Sequence, residues 1–395
     1  MRSWSVSLLN HSERAVKRVV SLGSLANAWD RDLNFLVPVR TSDELTEVQA
    51  LIERGLSNLT PIAPTALSES ISLKSRRVVV GDEVDIIEDD VVVIDSLQSR
   101  LQVLHRRDDR HHSLFLTNRC NSNCLMCSQP PTRHDDSWLV GEALEHIRHI
   151  SEAPKTIGIT GGEPLLCGAG FRRVVDELVR RFPHTKIEVL TNGRLLADRS
   201  AATPILDGLS PNVSWLVPLY GHADFLHDFV VQSHGAFDET LAGLLMLQEH
   251  RQPIQLRTVL IEPVLENLPK LCEFIGMNLP FVRAVALMGC EPIGFALANR
   301  AQCEVDLGRW HIALEMGLRM LDWLHVPALL MNMPMCAVPS ALRGYARQSI
   351  SDWKQVYANE CGGCLEKDRC CGLFSWHDRG WKPAPLTPIR EVASS

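Results

Sequence analysis

The chain has 395 residues, of which 45 % are hydrophobic and 22 % charged, with a formal net charge of −7. This fits a globular protein of two or three domains, and the acidic balance argues against a surface built to neutralise phosphates, so nucleic acid is not an expected partner. No run of about 18 apolar residues is present, which excludes an ordinary membrane-spanning helix. The opening MRSWSVSLLNHSER lacks the apolar core of a signal peptide; a cytoplasmic protein with no membrane partner is expected.

Residues 1–110 read as a small α+β domain. Apolar runs at 33–39, 77–87 and 91–98 are separated by turn-like clusters, and 44–56 is apolar at helical spacing with Gly55 near its end. GDEVDIIEDDVVVID reads as two or three short strands. Arg77-Val78-Val79-Val80 reads as buried sheet core, with a sheet edge open to an extended peptide as the alternative. HRRDDRHH, at 105–112, reads as a charged, solvated linker.

Across 111–300 strands and helices alternate. Strands are expected at 113–117, 155–160, 186–191, 213–220, 254–261 and 282–288. Helices are expected at 140–151, 171–182, 237–250 and 265–277, with another broken at Pro204. Six β-then-α units predict an α/β fold with a parallel sheet, an open partial (β/α)6 barrel of the TIM type. A helix at 305–324 and the apolar PALLMNM at 327–333 follow. Residues 301–380 form an extension organised by cysteines, and 381–395 a tail.

Of twelve cysteines, Cys120, Cys124 and Cys127 lie within eight residues, and Cys361, Cys364, Cys370 and Cys371 within eleven. Thiols stay reduced in the cytosol, so bunching of this kind reads as metal ligation. The first set is C-x3-C-x2-C after the first strand of the barrel. Three thiolates are one short of a closed zinc or iron–sulfur site, which suits a [4Fe–4S] cluster with one open iron; zinc completed by His134 or His111 is the alternative. Gly161-Gly162-Glu163-Pro164 lies at the end of the second strand, where parallel folds bind ligands. Two glycines permit close backbone approach, and Glu163 offers an acceptor to a cationic amine. The second set is C-x2-C-x5-C with one extra cysteine, and with Cys336 upstream it offers the four thiolates of a closed iron–sulfur cluster or structural zinc.

With these motifs the chain resembles the radical S-adenosylmethionine (SAM) superfamily across about 111–290. The resemblance implies that Cys120, Cys124 and Cys127 hold a [4Fe–4S] cluster whose open iron chelates SAM. It further implies that Gly161, Gly162 and Glu163 meet the methionyl amine, that Thr191-Asn192-Gly193 lies near the cofactor, and that Met126 stands where an aromatic adenine contact is usual. Arg257, on the fifth strand, is a candidate partner for the SAM carboxylate. The implied chemistry is reductive cleavage of SAM to a 5′-deoxyadenosyl radical that abstracts hydrogen. The later C…C-x2-C-x5-C-x-G-x-F pattern resembles the auxiliary-cluster (twitch/SPASM-like) extension of peptide-modifying members, which implies a second [4Fe–4S] cluster on Cys336, Cys361, Cys364 and Cys370, with Cys371 spare.

The wording Thr117-Asn-Arg-Cys120-Asn-Ser-Asn-Cys124-Leu-Met-Cys127-Ser-Gln-Pro-Pro131, with GDEVDII before it and Gln348-Ser-Ile-Ser-Asp-Trp353 after, resembles the His-Xaa-Ser system radical SAM maturases of the HxsC type. That implies a ribosomally made precursor peptide as substrate, a partner radical SAM protein (HxsB), and an electron donor such as flavodoxin or ferredoxin. The alternatives are a radical SAM enzyme acting on a small molecule, as in pterin-cofactor synthesis, and a non-catalytic iron–sulfur scaffold.

Overall fold

The structure is a computed structural model describing residues 2–9, 14–68, 77–377 and 386–390. It divides into two compact units. The first comprises Met1–Leu114, Trp138–Ile157 and Asp176–Thr185; the second comprises Phe115–Ser137, Gly158–Val175 and Lys186–Ser395.

The first unit is built on eight strands: β1 (Ser3–Ser5), β2 (Ser7–Leu9), β3 (Ala15–Val19), β4 (Phe35–Pro38), β5 (Leu59–Pro64), β6 (Arg77–Val80), β7 (Val91–Asp95) and β8 (Arg100–His105). Their order is β1-β8-β7-β3-β4-β5-β6-β2. The two ends of this sheet are one stretch of chain, because only Val6 separates β1 from β2. The sheet therefore closes on itself as a barrel. Val6, Val19, Leu36, Ile62, Val78, Ile94 and Leu101, drawn from all around the ring, pack together as one core. Alternate residues of β4, Phe35 and Val37, instead join Leu45 and Val48 of helix α1 (Ser42–Glu53) in a second core. The Thr41 hydroxyl caps α1 by accepting from Glu44 N–H at 3.2 Å.

One expectation stands here and two change. Arg77–Val80 is not an edge, since β6 pairs with both β5 and β2, and buried sheet core is the reading that stands. GDEVDIIEDD forms turns, and only Val91–Asp95 within that stretch is a strand. The segment 105–112 is solvated only in part: Arg107, Asp108 and Arg110 are exposed, but Arg106 is buried, donates to both carboxylate oxygens of Asp90 at 3.0 and 2.8 Å, and reaches Asp85 at 2.9 Å.

The sheet of the partial barrel has seven strands in chain order: β9 (His112–Phe115), β10 (Thr156–Thr160), β11 (Lys186–Leu190), β12 (Val213–Pro218), β13 (Ile254–Leu260), β14 (Ala284–Gly289) and β15 (Ala328–Met331). The pairings from β11 to β15 are parallel. The connecting helices are α2 (Trp138–His149), α3 (Ala169–Arg181), α4 (Arg199–Leu206), α5 (Asp224–Val231), α6 (Ala236–Glu249), α7 (Leu268–Asn278) and α8 (His311–Trp323). Six of the strands are those expected. PALLMNM adds a seventh, a run too short and too continuously apolar for periodicity to assign. Pro204 lies inside α4 rather than breaking it. Among the described residues no helix is long and apolar enough to cross a membrane.

The first unit also buries a group of histidines. The His105 ring stacks on His112 at 4.1 Å and meets His146 edge-on at 5.8 Å. Burial, with the neighbouring imidazoles adding, holds His105 down to about 2 and His146 to about 3. His149, also lowered by burial, accepts from Asn34 N–H at 3.0 Å through Nε2. These groups are neutral when folded and protonate freely near pH 6.5 when unfolded, so acid favours the unfolded chain. Stability should fall as pH drops below about 6.5, by roughly 2 kcal/mol per imidazole at pH 5 for His105 and His146. Urea midpoints of the wild type and of His146→Gln at pH 7 and pH 5 check this; the variant should show the shallower loss.

Candidate functional site

Cys120, Cys124 and Cys127 occupy the loop after β9, and neighbouring segments pin that loop along its length. Asp136, 5 % exposed, accepts from the Thr117 hydroxyl at 2.9 Å and from the backbone and side-chain amides of Asn118. The last carbonyls of α5 take the next residues: Asn123 N–H donates to Val231 O at 3.0 Å and Leu125 N–H to Val230 O at 2.9 Å. From the end of β10, Gly162 N–H donates to Thr117 O at 2.7 Å and Glu163 N–H to Arg119 O at 2.8 Å. A Cβ on Gly161 would stand 2.5 Å from Thr117 O, and one on Gly162 2.2 Å from Arg119 O. The glycine pair is thus required by the backbone of the cysteine loop itself.

Glu163, fully buried, accepts from Leu165 N–H at 3.0 Å, the Thr191 hydroxyl at 2.6 Å and Asn192 N–H at 2.7 Å. Burial pushes its carboxyl up, and these donors oppose the rise. The carboxylate therefore joins the end of β10 to the Thr191-Asn192-Gly193 turn. Asn192 in turn directs its amide to Asn121 Oδ1 at 2.6 Å and to Cys120 Sγ at 3.9 Å. Arg194 follows, pairing with Glu239 at 2.6 Å and donating to Ser122 Oγ at 2.9 Å and to Asn121 O.

Burial pushes Cys120 up to about 11 and Cys124 to about 12, with neighbouring thiolates adding in both; burial also raises Cys127. Arg194 is a cation that opposes this at Cys124. Three such thiols ionise when they bind a strongly cationic group. Among the described residues no three His, Cys, Asp or Glu side chains converge to hold a single ion, and His134 is exposed.

In β13, Ile254 and Leu256 are register partners of Trp215 and Val217 on the buried, helix-bearing face, where Trp215 lies 6.2 Å from Phe171 of α3. Gln255 and Arg257 point the other way, onto the inner face. Arg257 is level with Pro218, and the β11–β12 register places Asn192, two residues past Leu190, at that height. Its Nε donates to Gln255 at 3.3 Å, and burial lowers its pKa against the pull of Glu188. Met126, directly before Cys127 in sequence, is buried.

Four cysteines of the second set share a cavity. Cys336, Cys361, Cys364 and Cys370 line one cavity with about 410 Å³ of empty space. Backbone amides already point at its sulfurs: Met335 and Gly372 N–H lie 3.3 and 3.4 Å from Cys370 Sγ, and Ile389 N–H 3.4 Å from Cys364 Sγ. Cys371 does not line the cavity; it packs with Ile350 and Phe374 and keeps its proton, shared in a hydrogen bond with Cys370.

Residues 114–275 match the model of the radical SAM superfamily. Over those residues the chain is similar to the radical SAM superfamily. It is 31 % identical over 158 residues to a probable GTP 3′,8-cyclase of Methanocella arvoryzae, covering 39 % of this chain and 48 % of that protein. It is 27 % identical over 176 residues to an uncharacterised protein of Methanocaldococcus jannaschii, covering 44 % of this chain and 59 % of that one. The chain thus spans about half the length of the curated relatives it matches. A radical SAM methyltransferase from Sphaerobacter thermophilus aligns over 63 % of this chain and 75 % of its own, at 17 % identity and a TM-score of 0.44.

Sequence reasoning missed Asp136 and Arg194. Arg194 directly follows the Thr-Asn-Gly turn and could have been found there; Asp136 bears no spacing signal. Gly162→Ala should destabilise the chain by about 2 kcal/mol or more, because the clash is with backbone. Gly141→Ala, on α2 with open space around its Cα, should be neutral or stabilising by up to about 1 kcal/mol. Urea denaturation of both variants reads the contrast.

Proposed function

We propose that the protein is a radical SAM enzyme with two iron–sulfur clusters that modifies a ribosomally made peptide. The observation that carries this reading is the convergence of the three-cysteine loop, the glycine turn and the Thr-Asn-Gly turn at one edge of a parallel sheet. The bound cluster would supply the electron that splits SAM. The chain's own residues do the rest. Cys120, Cys124 and Cys127 would hold three irons, the backbone at Gly161 and Gly162 would receive the amine of SAM, and Glu163 and Asn192 keep that edge rigid. Arg257, on the inner face at the height of Asn192, is a cation suited to the SAM carboxylate, and Met126 offers apolar surface to the adenine. Cys336, Cys361, Cys364 and Cys370 would hold the auxiliary cluster with no iron left open.

The peptide substrate, a partner of the HxsB type and a flavodoxin- or ferredoxin-like donor rest on the sequence resemblance around Cys120–Pro131. A small-molecule substrate is the second reading, favoured by the name of the Methanocella relative. Mass spectrometry after co-expression with a His-Xaa-Ser precursor, set against incubation of the reduced enzyme with GTP and SAM, separates them: a mass change on the peptide supports the first, a cyclised nucleotide the second.

Anaerobically reconstituted protein should hold about eight irons per chain. Cys124→Ser should lose about half of them and all formation of 5′-deoxyadenosine. Cys370→Ser should also lose about half, whereas Cys371→Ser should retain all. Iron and sulfide assays with chromatography of the cleavage product check these outcomes; zinc in place of iron at the second set would remove the auxiliary cluster.

A further inference from the structure

Two cysteines belonging to neither set stand together in the second unit. Cys290 follows β14, and Cys303 ends the short helix Arg300–Cys303. They are 9 % and 0 % exposed, their thiols share a hydrogen bond, and both line a cavity with about 450 Å³ of empty space, partly open to solvent. Within the pair Cys290 keeps its proton and Cys303 is drawn toward the thiolate, in each case chiefly through their shared hydrogen bond. Apolar Pro292, Val305 and Phe374 complete much of the wall, with Asn332 and His377 as polar groups. Among the described residues no third donor converges on the two sulfurs to make a metal site.

The segment bearing this pair packs on the three-cysteine loop. Phe295 N–H donates to Cys127 O at 2.9 Å, Asn299 Nδ2 to Leu125 O at 2.9 Å, and Cys303 Sγ to the same Leu125 O at 3.7 Å. Gly294 has a φ of +62°, and a Cβ there would stand 2.4 Å from Cys127 O. One sulfur of the pair is thus bonded to the loop between Cys124 and Cys127, while both line the cavity.

We propose that Cys290 and Cys303 form a thiol–disulfide exchange site that takes a low-molecular-weight disulfide as its oxidant and reports its state to the three-cysteine loop. The Cys303 thiolate attacks one sulfur of the small disulfide, breaking its S–S bond and releasing one thiol. Cys290 then gives up its proton and displaces the second thiol, forming the Cys290–Cys303 bond. Two protein thiols lose two electrons and two protons in all, and the small disulfide gains both as two thiols. The oxidised Cys303 has no S–H to donate to Leu125 O, so that carbonyl keeps only Asn299 as its side-chain donor.

The test treats the reconstituted full-length protein anaerobically with bis(2-hydroxyethyl) disulfide, followed by acid quench, alkylation and trypsin. Cleavage at Arg300 puts the two cysteines on separate peptides. The expected result is a linked Ala284–Arg300/Ala301–Arg309 species with two thiols released per chain, reversed by dithiothreitol. Both cysteines remaining fully alkylatable, or each carrying a separate mixed disulfide, overturns the proposal. In Cys303→Ser no link should form and Cys290 should stay alkylatable; should that variant not fold, the wild-type result decides alone. Amide exchange across residues 124–128 should rise on oxidation and recover on reduction, and unchanged exchange removes the coupling to the loop.

Discussion

The buried carboxylate of Glu163 is the interaction on which the proposed catalytic edge depends. It receives donors from its own turn and from the turn after the next strand, and a charge-assisted hydrogen bond of this kind is about twice as strong as a neutral one. Removing the carboxylate would leave Thr191 and the Asn192 amide without their acceptor in a closed interior, which costs more than the bonds themselves contribute. Through Asn192 the same carboxylate is one residue away from the sulfur of Cys120. The glycine pair completes this arrangement, since only residues without Cβ allow the turn after β10 to lie against the backbone of Thr117–Arg119. Cysteine spacing and glycine turn are thus two halves of one packed object.

The first unit solves a different problem. A sheet of short strands ends in unpaired backbone groups at both sides, which invites pairing with another chain. Here the N-terminal stretch pairs with β8 before Val6 and with β6 after it, so both sides are satisfied by consecutive residues. The interior is filled by valine, leucine and isoleucine. Strand addition by a peptide is therefore not what this barrel offers. Within its helical margin, buried neutral histidines trade stability in acid for close ring packing.

The extension after β15 is held by one cation as well as by its cysteines. Lys354 Nζ pairs with Glu291 at 2.9 and 3.2 Å and lies 5.2 to 6.0 Å from the ring centres of Trp353, Phe374 and Trp376. Partly desolvated cation–π contacts contribute about 1–2 kcal/mol, and Glu291 adjoins the end of β14. This clamp lies between the strand that ends near Cys290 and the hairpin β16 (Gln355–Val356) and β17 (Leu373–Phe374) that brackets the four-cysteine cavity.

What could be read without coordinates was whatever is local in the chain. Alternating strand and helix periods located six of the seven barrel strands, and the two cysteine spacings and the glycine turn marked the site, because thiol ligation and tight turns impose residue types at short range. Whatever joins distant segments was hidden. Arg106 reads as part of a solvated charge run, yet is buried because Asp90 folds over it. Arg77–Val80 could not be called edge or centre until β2 was seen beside it. Glu163 reads as a ligand contact, and that it also braces the Thr191-Asn192 turn is visible only in the structure. The C-x-G-x-F pattern already favours Cys370 over Cys371, but that Cys370 lines the cavity while Cys371 packs against Ile350 and Phe374 is visible only in the structure. Periodicity and spacing carry information over a few residues; burial, pairing and the direction of a side chain are set by partners tens of residues away, and those only the tertiary structure brings together.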